Sequence, residues 1–218
     1  MSVFPLVPAS QGLLVVDMQN DFVREGAPQE VPETRAIIPT IRRLVDAFRA
    51  AERPVFYTRF LAGPERTLMW LWSPECSDEL RSCWPGHYRR YLDRPGKLEG
   101  PAVVDELAPE PGDVVIDKYG YGGFHNTVLE DALRAKHVSQ VVTTGTVTQI
   151  CVEETVREGF HRSFEMIVVR EAVASFDPEL HSGTLRNLAM KFGVVTSAEE
   201  VIASLRGTGR DVAVSKGP

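Results

Sequence analysis

The chain has few cysteines, no excess of basic residues and no long hydrophobic run among its 218 residues. Its 24 Lys and Arg residues face 30 Asp and Glu residues, and the net charge of −6 argues against nucleic acid or an anionic membrane as a partner. No apolar run approaches the roughly 20 residues that a membrane span needs, and the first ten residues lack the basic start of a signal peptide. We therefore expect a cytoplasmic protein.

The three cysteines, Cys76, Cys83 and Cys151, fit poorly with a closed disulfide framework, because their number is odd. A bond between Cys76 and Cys83 stays open as an alternative, although such bonds are rare in the cytosol. Cys76, Cys83 and His87 raise the question of a zinc site, but no fourth ligand is evident. The chain also lacks a P-loop and the G-x-G-x-x-G spacing of nucleotide-binding loops. We expect neither a metal nor another cofactor.

Short runs rich in Val and Ile alternate with longer amphipathic segments. The runs predict strands at 12–17, 54–60, 113–117, 139–144, 165–169 and 194–195. Apolar spacing of three and four predicts helices at 34–51, 127–135, 150–161, 179–192 and 198–205. This alternation indicates a three-layer α/β/α fold, Rossmann-like, with a six-stranded, mainly parallel sheet.

We treat residues 1–218 as one domain with two departures from this alternation. The stretch at about 61–100 is rich in aromatic residues, prolines and charges, and it reads as an irregular insertion that is either a lid or a subunit contact. The tail after Arg206 is polar, and we expect it to be mobile.

Three chemically useful residues fall at the carboxyl ends of predicted strands: Asp17, Lys118 and Cys151. Ligands of such sheets bind beyond these ends, so one crevice can hold all three. Each has an ordinary alternative when taken alone. Asp17 can cap a turn, Lys118 can be a solvated lysine, and Cys151 can be a small buried hydrophobe.

Together the three residues match the pattern of covalent catalysis, in which a nucleophile, a base and an orienting group act as a unit. A thiol needs a base or a cationic environment to become a thiolate, and the start of a helix lowers its pKa further. Asp17 is suited to take the proton of Cys151, and Lys118 is suited to anchor the carboxylate and balance its charge.

Three segments carry a close resemblance to a known family. LLVVDMQNDF (13–22), DKYGYGGFHNT (117–127) and TGTVTQICVEETVREGF (144–160) resemble the signature segments of the isochorismatase-like cysteine hydrolase superfamily. That group includes nicotinamidases, N-carbamoylsarcosine amidase, biuret hydrolase and ureidoacrylate amidohydrolase. The resemblance runs in order from about Gln11 to Leu205.

By position, the resemblance implies that Asp17 is the base, Lys118 the lysine of the triad and Cys151 the nucleophile. It also implies a cis peptide between Thr146 and Val147. Such a bond would place the N–H groups of Val147 and Cys151 side by side as an oxyanion hole. Relatives are usually dimers or tetramers, so we expect a homodimer or homotetramer in which the insertion could cover a neighbour's site.

Two departures from the family pattern narrow the function. Gly122 stands where some members have a serine, so the sequence does not determine the shape of that pocket wall. Metal-binding nicotinamidases carry Asp-x-His after the second strand, whereas this chain has Thr58-Arg59-Phe60-Leu61, which offers no ligand pair. Nicotinamidase activity and a metal site are therefore not expected.

Five residues are candidates for the walls of a substrate pocket, although core packing explains the aromatic ones equally well: Phe22, Trp70, Tyr121, Phe124 and His125. The preferred function is hydrolysis of a C–N bond in a small amide, ureide or carbamoyl compound through a thioester on Cys151. One alternative is a vinyl ether hydrolase of the isochorismatase type, which uses Asp17 without the cysteine. Another is a non-catalytic binding protein on the same fold. The sequence does not name the small-molecule substrate.

Overall fold

The computed structural model of the chain describes residues 3–207 and centres on one six-stranded parallel sheet. The strands, in chain order, are β1 (Gln11–Val16), β2 (Val55–Phe60), β3 (Tyr88–Arg89), β4 (Leu98–Glu99), β5 (Val114–Lys118), β6 (Gln140–Thr146), β7 (Glu165–Ala174) and β8 (Val194–Thr196). The sheet order is β5-β2-β1-β6-β7-β8, and β3 pairs with β4 in a separate antiparallel hairpin. The predicted fold class is confirmed.

Helices cover both faces of this sheet. They are α1 (Asn20–Val23), α2 (Thr34–Ala50), α3 (Met69–Trp72), α4 (Leu129–Ala135), α5 (Glu153–His161), α6 (Pro178–Lys191) and α7 (Ala198–Leu205). Alternate side chains of β1 enter opposite layers, as the two-residue repeat of a strand requires. Leu13 packs in the core that α2 and α7 close, and Leu14 packs in the core that α4, α5 and α6 close. Strand β1 is therefore buried along its whole length.

Several element bounds differ from those that the sequence predicts. Helix α4 begins at Leu129 rather than at 127, because the Thr127 hydroxyl accepts from the N–H of Leu129 and donates to the carbonyl of Gly123. Strand β7 continues to Ala174, five residues beyond its predicted end. The helix predicted at 150–161 begins instead as a π-helical turn, Thr148–Val152, which leads into α5.

A buried carboxylate is one of the anchors that hold the irregular insertion at 61–100 on its own chain. Asp21, in α1, accepts hydrogen bonds from the N–H of Cys83 at 2.7 Å and from the hydroxyl of Tyr91 at 2.6 Å. The guanidinium of Arg89 lies 2.9 Å from the same carboxylate. An acidic side chain that is completely buried needs such partners. The insertion is thus fastened to the segment that directly follows β1.

All three cysteines are free, so the alternative of a Cys76–Cys83 disulfide is wrong for this structure. Within residues 3–207, no helix has the length and apolar character to cross a membrane. The predicted tail, apart from its first residue, lies beyond the described residues.

Candidate active site

An ion pair between Asp17 and Lys118 lies at the carboxyl ends of the strands. Asp17 directly follows β1 and Lys118 is the last residue of β5, two strands away in the sheet. The Lys118 Nζ is 2.8 Å from the Asp17 Oδ2, and both side chains are completely buried. A buried charge is costly unless it is paired, so each of these residues depends on the other.

Thr58, in the strand between them, orients the carboxylate. Its hydroxyl donates to the Asp17 Oδ1 at 2.7 Å, so the lysine and the threonine hold one carboxylate oxygen each. Asp17 has a φ of 49°, in the left-handed region that Asp tolerates better than most residues. The Asp17 N–H points back to Thr58, whose carbonyl oxygen is 3.3 Å away. Thr58 therefore fixes both the backbone and the side chain of Asp17.

Lys118 is held by more than its carboxylate partner. Its Nζ donates to the carbonyl oxygens of Gly120 and Tyr121, each at 2.9 Å, and lies 5.2 Å from the centre of the Phe60 ring. Burial alone would lower the pKa of Lys118, but Asp17 and Cys151 raise it by more, and the net shift is upward. The lysine is therefore a permanent cation at neutral pH.

The thiol of Cys151 lies within hydrogen-bonding reach of both the Asp17 carboxylate and the Lys118 ammonium. Burial raises its pKa to about 12; Lys118 lowers it and Asp17 raises it. The sequence predicts a lowered pKa for Cys151, and this prediction is wrong because burial outweighs the effect of the Lys118 cation. Cys151 therefore rests as a neutral thiol, which has to lose its proton to a base before it can attack a substrate.

The backbone before Cys151 is unusual. The peptide between Thr146 and Val147 is cis, and the π-helical turn Thr148–Val152 follows directly. Cys151 is the fourth residue of that turn, and Val147 immediately precedes it. Of the two residues that the family resemblance assigns to an oxyanion hole, Val147 thus directly precedes this turn and Cys151 lies within it.

A close backbone approach brings this turn to Asp17. Gly145, near the end of β6, has a φ of 107°, and a Cβ placed on it would lie 2.0 Å from the carbonyl oxygen of Val16. No side chain fits there, so β1 and β6 can converge only with glycine at this position. That convergence places the residue after Val16, which is Asp17, beside the turn that contains Cys151.

The candidate pocket residues divide into two groups. Phe22 and Tyr121 lie on either side of Phe60, with ring centres 6.3 Å from it in both cases, and this row runs beside Lys118. Tyr121 is also close enough to Ser73, in the insertion, for a side-chain hydrogen bond. Tyr121 therefore connects this aromatic row to the insertion.

The remaining three candidates have other surroundings. Trp70 packs against Trp84 and donates to the carbonyl of Ala62, which ties the insertion to itself. Phe124 is buried against Phe164 in the core between the sheet and α5. His125 is exposed, and its ring nitrogen lies 3.1 Å from the side-chain amide of Asn126. The structure gives these three residues packing or surface roles instead of places beside the ion pair.

Comparison with known proteins adds an independent observation. The family model described as the isochorismatase domain matches residues 11–200. The chain belongs to the isochorismatase family. It is 38% identical over 202 residues to a protein of Methylobacterium radiotolerans named ureidoacrylate amidohydrolase, and the match covers 88% of this chain and 78% of the relative.

Solved structures of related proteins are similar to this chain over most of its length. A cysteine hydrolase from Pseudomonas syringae pv. phaseolicola 1448A superposes with a TM-score of 0.84 at 30% identity, over 96% of this chain and 98% of the other. The N-carbamoylsarcosine amidase of Thermoplasma acidophilum gives a TM-score of 0.69 at 28% identity, over 88% and 98%. The predicted family and the predicted reaction class, hydrolysis of a C–N bond, are confirmed by these matches.

At Gly122, where some family members have a serine, the structure leaves no room for a side chain. A Cβ at this position would lie 2.3 Å from the carboxylate of Glu158 in α5. The same carboxylate accepts from the N–H of Phe124 at 2.9 Å. The glycine therefore makes room for a structural contact between the lysine loop and α5.

Two functional positions were not predicted from the sequence. Thr58 looks like any polar residue in a strand, and Gln19 looks like part of a loop. The Gln19 amide accepts from the N–H of Phe60 at 2.6 Å and donates to its carbonyl at 2.9 Å, which pins the end of β2 beside Asp17. The sequence marks Thr58 only as a polar side chain in a predicted strand, which needs a hydrogen-bond partner that the sequence does not name, and it gives no such signal for Gln19.

No cluster of three or more His, Cys, Asp or Glu side chains suited to a metal occurs within the described part of the chain. At the position where metal-binding members of the family carry Asp-x-His, Thr58 serves Asp17 and Phe60 packs under Lys118. These two side chains are committed to the ion pair and offer no ligand set.

Proposed function

We propose that this chain is a cysteine hydrolase that cleaves a C–N bond of a small ureide through a thioester on Cys151. The observation that carries the proposal is the completely buried Asp17–Lys118 pair in hydrogen-bonding reach of the Cys151 thiol. A charged pair removed from water and aimed at a neutral thiol matches a base poised to deprotonate a nucleophile.

The first half of the reaction acylates Cys151. Asp17 takes the thiol proton, and the sulfur forms a bond to the substrate carbonyl carbon. The N–H groups of Val147 and Cys151 stabilise the oxyanion of the tetrahedral intermediate. When the intermediate collapses, the C–N bond breaks, Asp17 returns the proton to the departing nitrogen, and a thioester remains.

The second half releases the acid product. Asp17 takes a proton from water, and the resulting hydroxide attacks the thioester carbonyl. The C–S bond breaks, and the sulfur recovers the proton as a neutral thiol, which is its resting form at a pKa of about 12. Lys118 keeps its charge throughout and holds the carboxylate in place, since its own pKa is raised.

A ureide is the substrate class that the relatives favour. The curated relatives are named ureidoacrylate amidohydrolase, and one structural neighbour is an N-carbamoylsarcosine amidase. Both names describe a C–N bond next to a urea-type carbonyl. Tyr121, half-buried beside Phe60, offers an aromatic face for a planar group of this kind.

The test is a screen for ammonia release from ureidoacrylate, N-carbamoylsarcosine, biuret, maleamate and nicotinamide. We expect the two ureido compounds to be cleaved fastest, nicotinamide to be inactive, and prolonged EDTA treatment to leave the rate unchanged. Cys151→Ala is the control, and it should fold normally and lose activity. Activity restricted to maleamate would reject the ureide assignment and leave the hydrolase class intact.

The competing vinyl ether hydrolase would use Asp17 without a covalent step. In that case Cys151→Ala would retain turnover on a vinyl ether such as isochorismate, and the wild type would not release ammonia from any amide. A non-catalytic binding protein would turn over neither class of compound. The ion pair beside the thiol favours the amide hydrolase over both.

We also propose that the protein is a cytoplasmic homodimer or homotetramer that binds neither nucleic acid nor membranes. Three free thiols suit a reducing compartment, and exposed apolar side chains of the insertion, Leu68, Leu71 and Trp72, offer a surface for a second copy. A monomeric mass by light scattering would reject the assembly. Recovery in the periplasmic or membrane fraction of the native cells would reject the location.

A further inference from the structure

The turn that contains Cys151 makes a polar side-chain contact with the neighbouring helix α6. Thr148, the first residue of the π-helical turn, is completely buried, and its hydroxyl lies 2.9 Å from the Nδ1 of His181. Thr148 directly follows Val147. The contact therefore acts on the backbone between the two N–H groups that the proposed mechanism assigns to the oxyanion.

Helix α6 is a firm support for this contact because it is also fastened to α5. The Thr184 hydroxyl donates to the carboxylate of Glu153 at 2.9 Å, and Leu188 is completely buried. His181, Thr184 and Leu188 are spaced at i, i+3 and i+7, so they share one face of the helix. The imidazole is thus presented to the turn from a fixed surface, as precise positioning of a site requires.

We propose that His181 is a positioning residue for the reaction: through Thr148 it fixes the turn that places the N–H groups of Val147 and Cys151. This inference rests on the proposed function, which assigns those groups to the oxyanion. Oxyanion donors act only when they lie within a few tenths of an ångström of the position that the developing charge will occupy. A turn whose outer anchor is lost would misplace both donors and leave the substrate's ground-state contacts unchanged.

Removing the anchor should lower kcat and spare KM. We expect His181→Leu and Thr148→Val each to reduce kcat about tenfold, less than the ~100-fold or more that follows loss of a donor, with KM within about twofold of wild type. The double variant should be no slower than either single variant, because both remove the same hydrogen bond. His181→Asn keeps a polar group near the position of Nδ1 and should recover most of the rate.

Thr184→Val is the matched control. It removes a hydrogen bond of the same kind from the same face of α6, but that bond goes to Glu153 in α5 instead of to the turn. We expect it to lower the urea midpoint and to leave kcat unchanged, because the Asn187 amide still donates to Glu153 and Leu188 stays buried, so α6 keeps its place against α5. A general loosening of α6 would instead make Thr184→Val as slow as His181→Leu.

The deciding experiment combines kcat with hydrogen exchange of the peptide that covers 147–152, measured by mass spectrometry on each full-length variant. Faster exchange in His181→Leu together with lower kcat, both restored in His181→Asn, would support the inference. Wild-type kcat and exchange in His181→Leu, or an equal loss of kcat in Thr184→Val, would overturn it. Hydrogen exchange needs no substrate, so it reports on the turn independently of the reaction. If Cys151→Ala keeps its activity and the thioester route is rejected, the exchange result still tests whether His181 holds the turn.

Discussion

At the scale of single residues, burial decides the chemistry of this site. The exclusion of water keeps Cys151 protonated. It also makes the Asp17–Lys118 pair obligatory, because no water is available to solvate either charge alone. The sequence predicts these three as site residues from their places at strand ends together with the family resemblance. It could not identify Thr58, since its partner lies 41 positions away and only folding brings the two together.

The ion pair predicts the behaviour of Lys118→Met. This substitution keeps much of the side-chain volume but leaves the Asp17 carboxylate buried and unpaired. We expect the free energy of unfolding to fall by about 3–5 kcal/mol and activity to be lost. Urea denaturation measures the first effect and ammonia release the second. The exposed Lys136→Met is the control, and it should change neither quantity.

The raised pKa of Cys151 predicts how the thiol responds to pH. Since the reactive species is the thiolate and the pKa is about 12, the thiolate fraction rises about tenfold for each pH unit below that value. The rate of Cys151 alkylation by iodoacetamide should therefore increase about tenfold per unit between pH 7 and 9, with no substrate present. A rate that levels off near pH 7 would mean that the resting enzyme already holds a thiolate.

At the scale of elements, the strand ends were easier to predict than the connections. Runs of Val and Ile placed every strand of the main sheet, and only β7 extends far beyond its predicted end. The π-helical turn at Cys151 was predicted as ordinary helix. One extra residue in a single turn leaves no distinct mark on apolar periodicity, and its geometry is set by contacts with α6.

The convergence of β1 and β6 predicts a large effect of Gly145→Ala. The new Cβ would meet the Val16 carbonyl oxygen at 2.0 Å, at a φ of 107°. We expect a loss of more than about 3 kcal/mol in the free energy of unfolding, since backbone strain alone costs about 1–3 kcal/mol.

Gly112→Ala separates the cost of backbone strain from the cost of the clash with Val16. Gly112 has the same φ of 107° as Gly145, but nothing lies within 4 Å of its Cβ position. Gly112→Ala should cost only the strain, about 1–3 kcal/mol, and keep full activity. Equal losses of stability in the two variants, by urea denaturation, would contradict the role assigned to the close approach.

At the scale of the whole molecule, the Asp21 carboxylate acts together with Asn20 and Arg24 to join the insertion to the segment after β1. Composition alone marked residues 61–100 as irregular, but it could not say what they pack against. The reason is that the anchor, Asp21, lies in the first signature segment and reaches Cys83, Arg89 and Tyr91 across more than 60 positions. The insertion is thereby attached four residues after Asp17 along the chain.

Asp21→Asn should therefore loosen the insertion before it unfolds the sheet. The amide has nearly the same shape but loses the charge that pairs with Arg89, and it turns one acceptor into a donor. We expect faster proteolytic cleavage within 61–100 and a rise in KM, while the sheet keeps its far-ultraviolet circular dichroism. Cleavage at the wild-type rate, by limited trypsin digestion, would show that Asp21 is not the anchor.

The central claim is that a substrate carbonyl becomes bonded to the sulfur of Cys151. The most direct measurement is mass spectrometry of enzyme quenched in acid during turnover of the best ureido substrate. We predict the mass of the acyl group on the peptide that contains Cys151, and no adduct on the peptides of Cys76 or Cys83. Full turnover with Cys151 unmodified, together with wild-type rates in Cys151→Ala, would contradict the account.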